Sequence, residues 1–329
     1  MKKSFGIKLT ALFLAAALCG CSGQNIETDA NAENIIIADA VLETAPPVSE
    51  PEIEVEPVLE PAVYLSDTSV EQGGYVLLWA ENVDLSETLF TDFLGFERGF
   101  VPYKDGWYTV IPVNTAAKPG DYVLAFSEGD FAYSENVTVL EREFEEQYLE
   151  VAQETLDETL ENKLSRSEFS EKTAPLYEIF SNTPLWNGEF ICPLEVEYKI
   201  TTSFGTFRTF SNGDTERHDA FDMAAKGGSP VYATNSGKIV FADFLRLTGN
   251  TVVIDHGMGF MSWHYHMKKI NVSAGDFVEK GALIGEIGTT GLSTGNHLHF
   301  GLTAGGTFID SLGMVGNEPD VDFWEANEE

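Results

Sequence analysis

Basic residues are scarce in this chain: 19 Lys and Arg stand against 53 Asp and Glu in 329 residues, a formal charge of -34. A phosphate-backbone binder needs a basic patch, so this balance argues against nucleic acid as a partner. Cysteine is scarce too, with three in the chain, Cys19, Cys21 and Cys192. Long apolar runs are lacking beyond the extreme N-terminus, which excludes a multi-span membrane protein. Histidine is missing from everything before residue 218. What remains is 43% hydrophobic, enough for a proper core, and long enough for one large domain or two ordinary ones.

The one long apolar run reads as an address. Lys2, Lys3 and Lys8 precede Leu9 to Leu18, the charged-then-apolar order of a secretory signal and too short for a comfortable spanning helix. The run closes on Leu18-Cys19-Gly20-Cys21-Ser22. That ending resembles the bacterial lipobox, where cleavage falls before the last Cys and a diacylglyceryl group joins its sulfur. The resemblance implies a signal peptide over 1–20 and an exported chain held at the cell envelope membrane through lipidated Cys21. Cys192 is then the remaining thiol, so no internal disulfide is available, and the fold must rest on its core or on metal.

Residues 21–62 are expected to be a disordered tether. From Ser22 to Asp67 there is no Lys or Arg among many acids, and Pro46, Pro47, Pro51, Pro57 and Pro61 oppose packing. Residues 63–140 read as a small β-sandwich, with β-rich stretches at Tyr75–Trp79, Gly106–Ile111 and Tyr122–Phe126 and turn signals such as Lys118-Pro-Gly-Asp121. It carries no His, Cys or paired Asp cluster, so its default role is a spacer or binding module. Residues 141–184 are expected as a helical linker, because Phe144, Tyr148, Val151, Leu156, Leu160 and Leu164 recur at the spacing of an amphipathic helix. From 185 to 324 short β runs and frequent glycines predict a compact, mostly antiparallel sheet or barrel-sandwich domain. The fold class is therefore mainly β.

All six histidines, His218, His256, His264, His266, His297 and His299, fall in this last domain. If His297-Leu-His299 is a strand, its period of two puts both imidazoles on one face; His264-Tyr-His266 repeats the pattern. His218 and Asp222, four apart, add nitrogen and carboxylate donors that suit zinc, and with one His of the 297/299 pair they make the three protein ligands of a catalytic site with a place left for water. Spacing alone does not say which of the pair binds metal. The remaining imidazoles can orient water, stabilise an oxyanion or pass a proton.

Residues 204–310 resemble the lysostaphin-type zinc endopeptidases of bacterial cell walls. The matching stretches are Phe204-Gly205 with Arg208, His218-x-x-x-Asp222, Gly249-Asn-Thr-Val-Val-Ile-Asp-His-Gly257, His266-Met267, Gly275–Gly281, Gly288-Thr-Thr-Gly291 and Ser293-Thr-Gly-Asn-His-Leu-His-Phe300. The resemblance implies one Zn2+ per chain on His218, Asp222 and His299, with His266 and His297 catalytic and His256 structural. It departs at Ala220, where members usually carry Gly, and at His264, where many carry Tyr. The implied activity is hydrolysis of peptide bonds in peptidoglycan stem peptides or cross-bridges by a monomer. The competing class is a catalytically silent scaffold or activator of another wall hydrolase; it is marked by loss of one of these five residues, and none is lost here. A metal-storage or substrate-binding lipoprotein would carry His-rich loops without the His-Leu-His strand.

Overall fold

The computed structural model describes residues 59–88, 93–95, 98–150 and 163–327. The expected signal peptide, the lipidated Cys21 and nearly all of the tether lie outside them. Seven strands open the described chain: β1 (Ala62–Leu65), β2 (Ser69–Glu71), β3 (Tyr75–Glu81), β4 (Val101–Tyr103), β5 (Gly106–Pro112), β6 (Gly120–Glu128) and β7 (Phe131–Leu140). They form one sheet of order β1-β3-β5-β4 and another of order β2-β7-β6. Alternation along β3 decides what each face meets. Val76, Leu78 and Ala80 point between the sheets, with Ile111, Leu124, Phe126, Val137 and Val139. Leu77 and Trp79 point outward with their cross-strand partners Val110 and Tyr108.

That outward face is not left to water. It packs on Phe260, Leu302, Ile309 and Trp324 of the following region, where the Trp79 and Trp324 rings stack at 4.3 Å. The sheet is thus apolar on both sides, which accounts for the unbroken run Tyr75-Val-Leu-Leu-Trp79. A sandwich with a face buried in this way is no free spacer.

Residues 141–150 differ from the helix expected there. They run extended, and β8 (Glu146–Leu149) pairs in parallel with β10 (Thr206–Phe210), Phe207 opposite Glu146 and Thr209 opposite Tyr148. A spacing of four, as between Phe144 and Tyr148, fits the period of a strand as well as that of a helix. The open edge of β10 settles the matter, since its Phe207 N–H donates to Glu145 O at 2.8 Å and Ser211 N–H to Leu149 O at 3.0 Å. A helix, α1 (Lys163–Tyr177), follows later. It turns Ser165, Phe169, Thr173 and Leu176 inward at i, i+4, i+8 and i+11, Phe169 partly buried and the others buried, with Phe169 and Leu176 in the cluster of Trp263 and Tyr265.

The rest of the fold is a large antiparallel sheet built from β9 (Lys199–Thr202), β12 (Phe221–Ala224), β14 (Gly237–Leu245), β15 (Gly249–Gly257), β16 (Phe260–Ile270), β17 (Phe277–Val278) and β19 (His297–Ala304). Its order is β17-β14-β15-β16-β19-β12-β9. β13 (Pro230–Tyr232) pairs with β18 (Leu283–Ile287), which joins β16, and β20 (Thr307–Ile309) hangs on β19. A three-stranded sheet of order β11-β10-β8 includes β11 (Thr215–His218). The main sheet closes over Met223, Val231, Ile239, Val252, Ile254, Met267, Ile284, Leu298 and Phe300. The mainly β reading of the sequence holds.

Candidate metal centre and groove

β12 and β19 pair with Asp222 opposite His299 and Ala224 opposite His297. His218 closes β11 just before the chain enters β12. Three donor atoms converge: His218 Nε2 lies 3.0 Å from Asp222 Oδ1 and 3.1 Å from His299 Nδ1, and His299 Nδ1 lies 3.0 Å from Asp222 Oδ1. Tetrahedral zinc, with bonds of about 2.0–2.2 Å, spaces its donors roughly 3.3–3.6 Å apart, so this nitrogen, oxygen and nitrogen set fits that ion in chemistry and needs to open by only a few tenths of an ångström to take it. Burial alone would raise the pKa of Asp222, but hydrogen bonds and charge from His218 and His299 outweigh it and hold the carboxyl well below the usual carboxylate range. Burial also lowers His299 to about 4, which keeps its imidazole neutral.

His266 reaches the same place by a break in alternation. Its neighbour Tyr265 sits opposite His299 and stacks on that ring at 4.7 Å, so a regular strand would turn His266 the other way. His266 instead takes a left-handed φ of 61°, at a register shift in β16, and its ring comes to 4.7 Å from His297 and 6.0 Å from His299. Its backbone N–H donates to Thr248 O and its Nδ1–H to Thr290 O, both at 2.8 Å, leaving Nε2 free of the backbone. Two glycines make this approach available. A Cβ on Gly249 would stand 2.4 Å from Thr290 backbone atoms and one on Gly291 2.3 Å from Gly249 N, and both take positive φ. His266 is lowered to about 3, first by burial and then by His297 and His299. His297 places Nδ1 2.9 Å from Gly295 O and Nε2 3.6 Å from Asp222 Oδ1.

The same break corrects the expectation that His264 shares a groove with His266. His264 faces the core, fully buried, its ring 5.5 Å from that of Phe300 and beside the Val252 backbone. Burial and neighbouring His256 lower it to about 3. It does not line the groove. His256 is also buried, with Nδ1 2.8 Å from Ser236 O and Nε2 2.8 Å from Ser262 Oγ, as suits a structural residue. Ala220 takes no left-handed φ, so its methyl is accommodated; it lies about 3.6 Å from where a Cβ on Gly301 would stand.

The donors lie in a groove made of two adjoining cavities of about 350 and 270 Å³ that meet at Arg208, Glu216, His266, Leu292 and His299. One arm is walled by Gln147, Leu149 and Phe210, the other by Phe169, Tyr265 and Phe308. Sequence reasoning missed Gln147 and Tyr265 here, the first because the spacing around it reads as helix where the structure has β8. The sandwich touches the site as well: Thr115 Oγ1 donates to Asp219 Oδ1 at 2.8 Å, next to His218.

A sequence profile of Peptidase family M23 matches residues 216–311. Peptidoglycan DD-endopeptidase ShyA of Vibrio cholerae is 34% identical over 123 residues, 36% of this chain and 28% of that protein. Lysostaphin of Staphylococcus simulans is 37% identical over 105 residues, 31% of this chain and 21% of that one. This chain therefore spans under a third of the length of these relatives. A Pseudomonas aeruginosa crystal structure assigned to peptidase M23 is 25% identical with a TM-score of 0.51, covering 74% of this chain and 94% of that one, so the likeness in fold reaches beyond residues 216–311.

Proposed function

This chain carries a lysostaphin-type M23 peptidase domain, and from that premise we propose that it is a zinc-dependent endopeptidase hydrolysing peptide bonds in peptidoglycan stem peptides or cross-bridges. The observation that carries the reading is the convergence of His218 Nε2, Asp222 Oδ1 and His299 Nδ1 beside two further imidazoles in one groove. These three residues hold one zinc. When bound, zinc supplies Lewis acidity toward a water and toward the scissile carbonyl.

The protein's own groups do the rest. The Nδ1 atoms of His266 and His297 lie against backbone carbonyls, so each imidazole turns its Nε2 to the groove. Neutral at pH 7, His266 orients the attacking water and accepts its proton. The imidazolium so formed and His297 face the developing oxyanion, and the proton then passes to the leaving amine. Tyr265, stacked on His299, keeps that ring in plane. The mature chain acts as a monomer from a lipidated Cys21, with residues 21–62 as tether and the 63–140 sandwich packed on domain 185–324.

The test is zinc content and hydrolysis of intact peptidoglycan by the chain expressed without residues 1–20, beside His299→Ala and His266→Ala. Expected are about one zinc and new amino termini from wild type, loss of metal in His299→Ala, and metal without turnover in His266→Ala. Wild type that binds zinc and cleaves no muropeptide would move the reading to the scaffold class.

A further inference from the structure

Asp222 has two oxygens, and both are engaged. Oδ1 faces His218 and His299, while Oδ2 accepts from the Arg208 guanidinium. Arg208 sits mid-strand in β10, and the pleat turns it inward while Phe207, half-exposed, turns outward. Its cross-strand neighbours share that inward face, Glu216 on β11 and Gln147 on β8. Each edge of the guanidinium finds an oxygen: Nη2 donates to Thr202 Oγ1 at 2.7 Å as well as to Asp222, Nη1 to Glu216 Oε1 at 3.5 Å and Nε to Gln147 Oε1 at 3.4 Å. Both ends of the pair are largely shielded, with side chains 14% and 10% exposed.

We infer that Arg208 is a positioning residue for the metal centre: it pins Asp222 Oδ2 so that the carboxylate offers Oδ1 alone, in one orientation, to the ion. A carboxylate free to rotate about its last bond could offer either oxygen or both, and each arrangement would need a different placement of the two imidazoles. Fixing one oxygen removes that freedom before metal arrives. The planar fork matters more than the charge, because it must span Asp222 and Thr202 together while its other nitrogens are held by Glu216 and Gln147. Gln147 gives the linker strand a part in the site: β8 completes the cradle of the arginine that orients a ligand. Partners of this kind, one bond removed from a metal, commonly change affinity by about 10- to 100-fold when lost.

This inference rests on the proposed zinc site, and the test keeps the two apart. The zinc dissociation constant of the chain lacking residues 1–20 is measured by chelator competition for wild type, Arg208→Gln, Arg208→Lys, Thr202→Val and His299→Ala. Cobalt(II) absorption spectra are recorded on the same proteins, and KM and kcat on a peptidoglycan peptide. The expected result is zinc binding weakened about 10- to 100-fold in Arg208→Gln, less in Arg208→Lys and least in Thr202→Val, with a shifted cobalt spectrum in the arginine variants. Thr202→Val keeps the arginine and serves if Arg208→Gln fails to fold. Wild-type affinity and an unchanged cobalt spectrum in all three variants, above all with a raised KM, would overturn the inference and make Arg208 a substrate contact. If wild type binds no zinc, or His299→Ala binds it equally well, the metal reading itself fails.

Discussion

The sandwich and the groove-bearing sheet are both built of antiparallel strands, yet they bury different chemistry. Among the described residues before 141, the buried polar side chains are Gln72, Thr88, Thr109 and Thr115, and no acid, base or histidine is among them. The later region buries His218, Asp222, Asp255, His256, His264 and His266. An apolar interior can be filled by any strand with the right alternation. A buried imidazole or carboxylate must find a partner or stay neutral, and its partners come from strands distant in sequence. Function gathers where the fold accepts that cost.

The largest way to sharpen this contrast is chemical. Replacing His266 with Ala should lower turnover by about 10²- to 10⁴-fold, the usual worth of a positioned acid/base group, with zinc content kept. Steady-state hydrolysis with metal analysis checks it. Next comes an attempt to break the contrast at the shared interface. Trp79→Ala removes a ring that stacks on Trp324 across the boundary, and a loss of about 3–5 kcal/mol is expected. Because the two regions share that core, denaturant melts should show one transition shifted whole. Two separate transitions would mean the regions fold independently.

Acid should then separate the two kinds of interior. His256 and His264 are lowered from 6.5 to about 4 and about 3 by burial, so the unfolded chain binds protons that the folded chain refuses. Their contribution is fully present above pH 6.5 and is lost as pH falls toward 4, by about 1.4 kcal/mol per pH unit for each group. Urea unfolding between pH 7 and pH 4 measures the slope, and His264→Phe should remove about one group's share of it. Smallest is Ala220→Gly, which restores the residue usual in the resembled family. With no left-handed φ to relieve, it should cost about 0.4–1 kcal/mol through the unfolded state and leave hydrolysis unchanged.

Much of this was legible in the chain. Tyr75–Trp79, Gly106–Ile111, Tyr122–Phe126 and His297–Phe300 all lie in strands as the sequence implies. The alternation of His297, Leu298 and His299 put both rings on one face correctly. The same rule failed for His264 and His266, because a left-handed residue and a register shift interrupt β16 between them. The helical reading failed at residues 141–149, where a four-residue spacing serves helix and strand alike and the open edge of β10 chose the strand.

The sequence by itself determined most of the strands, the donor types and their clustering in one domain, since these follow from local pattern and residue chemistry. Only the tertiary structure decided which face His266 presents, that His264 is buried, that the sandwich is packed against the domain, and that Arg208 holds the second oxygen of Asp222. Each of those depends on atoms brought together from strands far apart in the chain, and no local period records where a distant strand will lay its edge.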